Sequence, residues 1–410
     1  MIKKTIPLFL MVVSFSLNSW SGGFQVNLQS TRSSGMGHTG TGLRLGAASG
    51  FFNPGALAFS NTEISIGIHL IKSRITYLEP FPGVYSANTT SGLGTPFAAH
   101  ISVRPKSDSK LIFGFSAYTP FGSGVSYADD WKGQFLLREM SLRTIFYQGT
   151  LAYRITDKLG IGIGYVFGTG EFSLRRAIPI QFQDATYGEA VLSGKGSGNG
   201  FNFGIYYQLA DNISMGVSYR SGVQVNLEEG SATFQIPQSL QNEFPQTTFS
   251  SQIGLPQVIN WGIGINATEK TLLSFDANFV GWSSYDTLSF DFRENTDLLE
   301  DSNEPRNYKN TVILRAGIEQ TISSKLQLRG GIYYDFSPVQ DGYLTPETPD
   351  MNKIGICTGL TYNFSDHFQI NSSLLYIHGN ERVDKNFSSG FEGTWKAHAF
   401  IGSVSLCYKL

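Results

Sequence analysis

The sequence of 410 residues contains little charge and little cysteine. Charged residues make up 15% of the chain, well below the roughly 25% that is typical of soluble domains. Acidic residues outnumber basic ones by 32 to 30, so the chain has no basic excess with which to bind a nucleic-acid backbone. Two cysteines are too few for a disulfide framework or a cysteine-rich metal site.

Long apolar runs and helical periodicity are also scarce. Beyond the N-terminal region, no stretch approaches the roughly 18 consecutive apolar residues of a transmembrane helix. The chain does contain 46 Gly, 31 Phe and 19 Tyr, which is far too aromatic for a disordered chain. Mean hydropathy is nevertheless close to zero, at −0.09. A structure with one apolar and one polar face would explain both facts.

The N-terminus has the pattern of a secretory signal peptide. Lys3 and Lys4 precede an apolar run at 6–17, and Ser19 and Ser21 supply the small residues that a signal peptidase reads. No cysteine follows the apolar run, so a lipoprotein anchor is not indicated. We expect residues 1–21 to be removed on export.

Apolar and polar residues alternate along most of the remaining chain. In residues 158–167, glycine occupies one face and Leu, Ile, Tyr and Phe occupy the other. A period of two over eight to ten residues predicts strands with one apolar face. The same pattern recurs in residues 63–70, 214–219, 261–265, 312–318, 326–334 and 400–408.

The connections between these strands alternate in length. The short ones are 105–108, 156–157, 210–212, 268–269, 322–324 and 365–366. The long, polar ones lie at about 78–95, 119–139, 177–197, 229–257, 283–307, 337–351 and 379–393. Such alternation with an even strand count is typical of outer-membrane barrels, whose short turns face the periplasm. A closed barrel also pairs every backbone group that hydrocarbon leaves without water. We therefore predict an all-β, 14-stranded antiparallel transmembrane barrel over residues 62–410.

Residues 22–61 do not follow the strand pattern. They are rich in Gly, Ser and Thr, and Asn53-Pro54-Gly55 is a turn signal. A barrel of this size is too wide to be filled by its own side chains. We expect these residues to form a plug in the lumen. At the other terminus, alternation from Phe400 to Leu410 with Tyr408 resembles the signal of the barrel assembly machinery, with Leu in place of the usual terminal Phe.

Motifs for other chemistry are weak. The GxGxxG string at 35–40 neither follows a strand nor opens a helix, so it does not indicate a dinucleotide site. The six histidines show no metal-ligand spacing, and no GxSxG elbow of a serine hydrolase is present. We expect no catalytic residues, no metal and no cofactor. Cys357 and Cys407 fall on strands 12 and 14, roughly 10 Å apart, which is too far for a disulfide. Two free thiols are predicted.

Aromatic residues have two interpretations. Most are expected in membrane girdles, the candidates being Phe97, Phe113, Phe115, Tyr118, Phe121, Tyr206, Tyr207 and Tyr219. Apolar residues also occur in the plug start and in the long connections, where they either pack together or contact an apolar ligand. These residues are Phe24, Val26, Leu28, Phe121, Phe135, Leu136, Leu137, Phe234, Phe244 and Leu255.

An ordered series of short motifs resembles the FadL family of outer-membrane transporters for long-chain fatty acids and other hydrophobic compounds, including aromatic hydrocarbons. The motifs span the mature chain, and their order is more specific than any one of them. They are Gly23-Phe24-Gln25, 33–37, Asn53-Pro54-Gly55, Pro120-Phe121-Gly122, Tyr127 with Trp131-Lys132-Gly133, 219–221, 255–256, 282–283, 335–339 and 349–350. Gly55 stands where the family usually has Ala, and Gln134 where it often has Arg.

The resemblance implies a monomeric 14-stranded barrel that takes up hydrophobic molecules passively. Substrate is captured in an apolar groove between extracellular loops and passes to a tighter pocket beside the mature N-terminus. A rearrangement of the plug, or hatch, then opens a gap at the kinked third strand, through which the substrate leaves sideways into the membrane. The expected partners are the hydrophobic substrate, outer-membrane lipids and the assembly machinery.

The resemblance also implies candidate site residues. Phe24 and Phe121 are expected to contact the ligand, and Arg176 falls where fatty-acid members place a pocket arginine. Lys309 occupies a comparable basic position before the tenth strand. Ordinary charges at the barrel rim are the alternative for both. Asn53-Pro54-Gly55 is expected to form the hatch element beside the kink of the third strand.

Two other functions fit parts of the sequence. A general or polar-solute porin would share the barrel, but it should show charged constriction residues. A secreted soluble β-sandwich enzyme or lectin would share the strands, but it has no reason to separate long and short connections. Within the preferred reading, long-chain fatty acids and aromatic hydrocarbons stay equally open.

Overall fold

The computed structural model describes residues 23–410, so the predicted signal peptide at 1–21 lies outside the described residues. The strands are β1 Glu63–Leu78, β2 Ser86–Asn88, β3 Phe97–Val103, β4 Leu111–Tyr118, β5 Gly122–Ser126, β6 Glu139–Arg154, β7 Leu159–Gln181, β8 Tyr187–Ala210, β9 Ile213–Arg220, β10 Val223–Gln235, β11 Thr247–Leu255, β12 Val258–Thr268, β13 Thr271–Val280, β14 Thr287–Phe292, β15 Ser302–Pro305, β16 Thr311–Thr321, β17 Leu326–Asp335, β18 Lys353–Asn363, β19 Phe368–Lys385 and β20 Glu392–Lys409. The helices are α1 Thr31–Ser34, α2 Ser49–Phe52 and α3 Pro54–Leu57, with 3₁₀ turns at Gly46–Ala48, Gln238–Leu240 and Trp282–Ser284.

Fourteen of these strands form a closed antiparallel ring. Its order is β1-β3-β4-β6-β7-β8-β9-β12-β13-β16-β17-β18-β19-β20. The ring closes where β20 pairs with β1, from Glu63 opposite Lys409 to Leu78 opposite Thr394. The predicted fold class is confirmed. Among residues 23–410, no helix is long and apolar enough to cross a bilayer.

The alternation within a strand explains both faces of the wall. On β7, the side chains of Ile163 and Tyr165 point outward and are 55% and 61% exposed. The intervening glycines point inward and are buried. An added Cβ at Gly162 would collide with the backbone of Pro54 in the plug. The inward glycines therefore let the plug approach the wall closely, while the outward face meets lipid.

The six predicted short turns all join consecutive strands of the ring. The long connections differ from prediction, because three of them contain much strand. β7 and β8 stay paired almost to their tip at Gln181 and Tyr187, and β19 and β20 stay paired to Lys385 and Glu392. Within the predicted 229–257 connection, β10 and β11 pair with each other, and β10 also pairs with β8. Together with β14 and β15 they extend the wall into an extracellular sheet.

The aromatic girdle is only partly as predicted. Phe113, Phe115 and Tyr207 point outward, whereas Tyr118 and Tyr206 are buried on the inward face. Because successive residues of a strand face opposite sides, a one-residue difference in register moves a ring from lipid to lumen.

Residues 23–61 lie inside the ring and are mostly buried. Their helices are single turns, and two of them begin at side-chain caps. The Ser30 hydroxyl accepts from Ser33 N, and the Asn53 side-chain oxygen Oδ1 accepts from Gly55 N. Such short helices depend on tertiary contacts for their stability. Cys357 on β18 and Cys407 on β20 are buried and free, as predicted, and lie on strands 12 and 14 of the ring.

Candidate functional site

A buried ion-pair network fixes one side of the plug to the wall. The Glu319 carboxylate on β16 accepts from Arg32 Nη2 at 2.8 Å and from Arg329 Nε at 2.6 Å. Arg329 also donates to the Thr361 hydroxyl at 2.6 Å. Nearby, Gly37 N donates to Cys357 Sγ at 3.0 Å. This charged cluster joins α1 to the twelfth strand and its neighbours.

Asn53-Pro54-Gly55 fixes the opposite side. The Asn53 amide donates to Thr41 O at 2.8 Å and to Ile205 O on β8 at 2.9 Å. A Cβ added at Gly55 would lie 2.7 Å from Gly160 O and 2.7 Å from Tyr206 N. Glycine at position 55 therefore permits a backbone approach that alanine would obstruct. The structure places this predicted hatch element against β7 and β8, the fifth and sixth strands of the ring, rather than against the third strand.

The third strand of the ring is broken at residues 119–121. β4 pairs with β3 and β6 up to Tyr118, but β5 pairs only with β6 among the described strands. The N-terminal segment, residues 23–28, docks at this break: Val26 N donates to Pro120 O at 2.8 Å, and Gly122 N donates to Phe24 O at 3.0 Å. The start of the chain thus replaces part of the missing strand pairing.

Aromatic packing completes this docking. The Phe24 ring lies 4.9 Å from Trp282, 5.3 Å from Tyr285 and 6.2 Å from Phe121, all edge-on. Edge-to-face aromatic pairs at these separations stabilise a structure by more than the burial of their apolar surface alone. The structure therefore brings together Phe24 and Phe121, two of the predicted ligand residues.

A cavity of about 250 Å³ borders the N-terminal segment. Its apolar lining comes from the segment and from both sides of the ring closure. These residues are Phe24, Val26, Leu28, Ile71, Ile75, Val125, Leu375, Ile377 and Ile401. Asp335, Glu347, Asp350 and Lys353 lie at its polar end. The cavity is thus largely apolar with a small charged end.

Asp350 organises the polar end. Its carboxylate accepts from Gly23 N at 2.9 Å and from the Ser337 hydroxyl at 2.7 Å, and it forms an ion pair with Lys353. The Asp350 side chain therefore holds the beginning of the N-terminal segment in place. Glu347 accepts from Arg306 Nη2 at 2.6 Å. These charged groups balance one another before any ligand enters.

A cleft of about 520 Å³ crosses the wall beside the cavity. It lies between β5 and residues 91–96, which do not pair with each other along its length. At its outer end Thr90 N donates to Ser126 O at 2.8 Å. Val26, Ile71, Ile75 and Val125 line both the cleft and the cavity, so the two spaces share one apolar wall.

Arg176 and Lys309 lie outside the lining of this cavity. Arg176 is 42% exposed and 4.0 Å from Glu304. Glu304 also contacts Arg306 at 3.1 Å, so a chain of charges leads from Arg176 to Glu347 at the cavity. Lys309 N donates to Pro338 O at 3.1 Å. Burial lowers the pKa of Lys309, and the nearby Asp341 opposes that shift.

Several apolar residues of the extracellular connections are buried. Leu137, Phe234, Phe244 and Leu255 are buried, and the rings of Phe234 and Phe244 are 5.7 Å apart. All four belong to the same apolar cluster as Phe24 and Trp282. Sequence reasoning did not assign Arg306, Lys353 or Trp282 to the site. Trp282 was marked only as part of the 282–283 motif, and nothing local marks the two cations.

Comparison with known proteins agrees with this architecture. The model of the outer membrane protein transport protein family (OMPP1/FadL/TodX) matches residues 12–410. The long-chain fatty acid transport protein of Salmonella typhi is 22% identical over 423 residues, which covers 96% of each chain. The long-chain fatty acid transport protein of Escherichia coli (strain K12) is 21% identical over 433 residues, again with 96% of each chain covered.

Two solved structures share the fold. A Pseudomonas aeruginosa FadL homologue superimposes with a TM-score of 0.82 at 18% identity, covering 95% of this chain and 100% of that chain. The Ralstonia pickettii toluene transporter TbuX has a TM-score of 0.72 at 16% identity, covering 93% and 98%. With the family match over nearly the whole length, the chain belongs to the OMPP1/FadL/TodX family of outer-membrane transport proteins of Gram-negative bacteria.

Proposed function

We propose that this protein is a passive channel for hydrophobic molecules, which pass from the extracellular side through the cavity and leave sideways through the cleft. The observation that carries the proposal is the apolar wall shared by the two spaces, formed by Val26, Ile71, Ile75 and Val125. Val26 belongs to the N-terminal segment, so movement of this segment would join cavity and cleft. The plug is then the hatch, and flow follows the concentration gradient.

The substrate class follows from size and polarity. An apolar cavity of about 150 Å³ takes up benzene, so about 250 Å³ accommodates one small aromatic hydrocarbon. A long acyl chain needs the cleft as well. Each buried CH₂ contributes about 0.8 kcal/mol, so both kinds of molecule gain from an apolar path. The names of the relatives, long-chain fatty acid transport protein and toluene transporter, support the same class.

Charge at the cavity favours an uncharged substrate. Three carboxylates, Asp335, Glu347 and Asp350, line the polar end with one ammonium, Lys353, which already pairs with Asp350. Arg306 likewise pairs with Glu347, so a carboxylate ligand would find both of these cations already paired. For fatty acids, Arg176 and Lys309 remain the proposed cations, and they would act near the extracellular rim before the acyl chain enters.

Deletion of residues 22–30 tests the hatch. We expect uptake of toluene and of a long-chain fatty acid to be abolished, while the barrel still folds and shows heat-modifiable mobility on a gel. A full-length variant carrying Phe81→Ser, an exposed extracellular residue, serves as the control. Unchanged uptake in a folded deletion protein would overturn the hatch.

Conductance in planar bilayers separates this proposal from a polar-solute porin. We expect almost no steady current from the intact protein, because the plug occupies the lumen. A large, steady current would support the porin instead. Mass spectrometry of lipids and hydrocarbons that copurify with the protein would then identify the ligand.

The proposed role includes no catalytic step and no cofactor. The chain would act as a monomer within outer-membrane lipids and would be inserted by the barrel assembly machinery. A single-barrel mass in nanodiscs and fractionation with outer membranes would support these assignments. Recovery as a soluble protein would instead support a secreted enzyme or lectin.

A further inference from the structure

The outward face of the barrel changes from apolar to polar at a defined level. On β1, Ile66, Ile68 and Leu70 point outward and are exposed, and the next outward side chains are Lys72 and Arg74. Since the long connections extend from this end, the change marks the outer, extracellular boundary of the hydrocarbon. Aromatic side chains mark the same level on neighbouring strands.

Three adjacent strands place basic side chains together at this boundary. Lys72 lies opposite Phe400 on β20, which lies opposite Tyr376 on β19. The Tyr376 and Phe400 rings are 4.8 Å apart. The next outward row is Arg74, His398 and His378, again paired strand to strand. Neighbouring strands are about 4.8 Å apart, so these side chains form one compact group, here called the basic patch.

The cations of the basic patch are held by neutral partners. Lys72 Nζ donates to Ser91 O at 3.0 Å, and Arg74 Nε donates to Asn88 Oδ1 at 3.0 Å. Within residues 23–410, neither side chain has an acidic ion-pair partner. Lys396 in the row above is paired with Glu381 at 2.7 Å. The positive charge of Lys72 and Arg74 is thus exposed and uncompensated.

The part of the wall formed by β6, β7 and β8 differs. Above its aromatic residues, β6, β7 and β8 present Arg143, Glu171 and Lys195 in one outward row. Lys195 and Glu171 form an ion pair at 2.7 Å, so this row carries one net positive charge, whereas Lys72 and Arg74 carry two. Farther round the ring, the residues just before β12, β16 and β18 are uncharged: Gln257, Asn310 and Asn352. Excess positive charge at the outer boundary is therefore concentrated on β19, β20 and β1.

We propose that the basic patch binds the phosphate groups of lipid A in the outer leaflet. These phosphates lie at the level where the acyl chains meet the sugar headgroup, and Lys and Arg side chains bind phosphate strongly. The aromatic rings of Tyr376 and Phe400 lie directly below and contact the acyl chains. The two imidazoles supply further N–H donors. Because Ser91 also lines the cleft, the bound lipid sits beside the proposed exit.

The test uses the full-length protein in detergent micelles, titrated with bisphosphorylated lipid A and followed by native mass spectrometry. The variant combines Lys72→Ser and Arg74→Ser. The matched control combines Lys195→Ser and Lys385→Ser, which removes the same charge from two lysines that are already paired with glutamates and do not line the cleft. Lipid A from which both phosphates have been removed is the second probe. Heat-modifiable mobility verifies that each variant is folded.

We expect the Lys72→Ser/Arg74→Ser protein to bind bisphosphorylated lipid A roughly tenfold to thirtyfold more weakly, since each cation near an anionic lipid surface contributes roughly fivefold. The control should change binding by less than about twofold. Dephosphorylated lipid A should bind wild type and variant alike. Equal weakening in both double variants, or equal binding of the two lipids to the wild type, would overturn the proposal.

Discussion

The two parts of the plug are held in different ways. Residues 31–58 are tied to the wall by buried charged and polar groups, among them the Arg32–Glu319–Arg329 network and the Asn53 amide. Residues 23–28 are held by a few backbone hydrogen bonds, by packing of the Phe24 ring against neighbouring aromatic rings, and by one hydrogen bond to Asp350. Removing residues 31–58 from the wall costs much free energy, because it would leave buried charges unpaired. Moving residues 23–28 costs less, because their apolar contacts can be replaced by other apolar contacts.

This difference indicates which part moves. An apolar substrate in the cavity can replace the contacts that residues 23–28 make, but it cannot replace an ion pair. We therefore expect the N-terminal segment to shift during transport while residues 31–58 stay docked. The buried Cys357, which accepts a hydrogen bond from Gly37, is a native probe of docking, since a maleimide reaches it only when the plug leaves.

The largest effect is expected for Glu319→Gln. It leaves Arg329, whose side chain is 1% exposed, without its carboxylate, at a cost of about 3–5 kcal/mol. Cys357 should become reactive to maleimide and channel conductance should rise. Glu381→Gln, in an exposed pair with Lys396, is the control and should cost at most about 1 kcal/mol. Continued protection of Cys357 would contradict the anchoring role.

Phe24→Ala should affect the other region. Loss of the ring costs about 3 kcal/mol of packing, so residues 23–28 should undock. Uptake of toluene should fall, because Phe24, Val26 and Leu28 would no longer line the cavity that binds it. Cys357 should stay protected, unlike in the Glu319→Gln protein. Phe24→Leu, which keeps an apolar side chain, should retain most uptake. If Phe24→Ala also exposes Cys357, the two regions move as one unit and the comparison fails.

Gly55→Ala should have an intermediate effect on the anchored region. The new Cβ would meet Gly160 O and Tyr206 N at 2.7 Å, and overpacking of this kind costs about 1–3 kcal/mol. In planar-bilayer recordings at increasing temperature, ion conductance should begin at a lower temperature than in the wild type, because the plug is bound less stably. Gly50→Ala is the matched control, since its Cβ would lie 3.5 Å from the nearest atom, Thr150 Oγ1. Identical behaviour of the two variants would refute a tight approach at Gly55.

The smallest effect on stability is expected for Asp350→Asn. The amide oxygen can still accept from Gly23 N, so docking should weaken by about 1 kcal/mol. Loss of the carboxylate leaves Lys353 with Asp335 as its remaining acidic neighbour. The polar end becomes less negative, so the uptake ratio should shift from toluene toward a fatty acid. Asp341→Asn, at a fully exposed partner of Arg382, is the control. A ratio that does not change would show that charge at the polar end does not select the substrate.

Much of the architecture was predictable because membrane barrels impose it locally. Alternation in stretches such as 158–167 specifies which side chains face lipid, and the turn signals at 156–157 or 365–366 specify where strands reverse. Both depend on neighbouring residues alone. The ordered motifs from Phe24 to Asp350 added the plug and the family. The strand content of 177–197 was missed, because its polar outward side chains resemble a loop.

The site was decided by contacts between distant residues. Phe24 meets Trp282 only because the third strand breaks at 119–121 and admits the start of the chain. Arg382 points inward because the β19–β20 register shifts between Gly379 and Arg382, and a one-residue shift reverses the facing of a side chain. Sequence alone thus determined a plugged 14-stranded barrel with an apolar exterior. Tertiary structure determined the cavity, the cleft and the charges beside them, because their walls come from strands far apart in the chain.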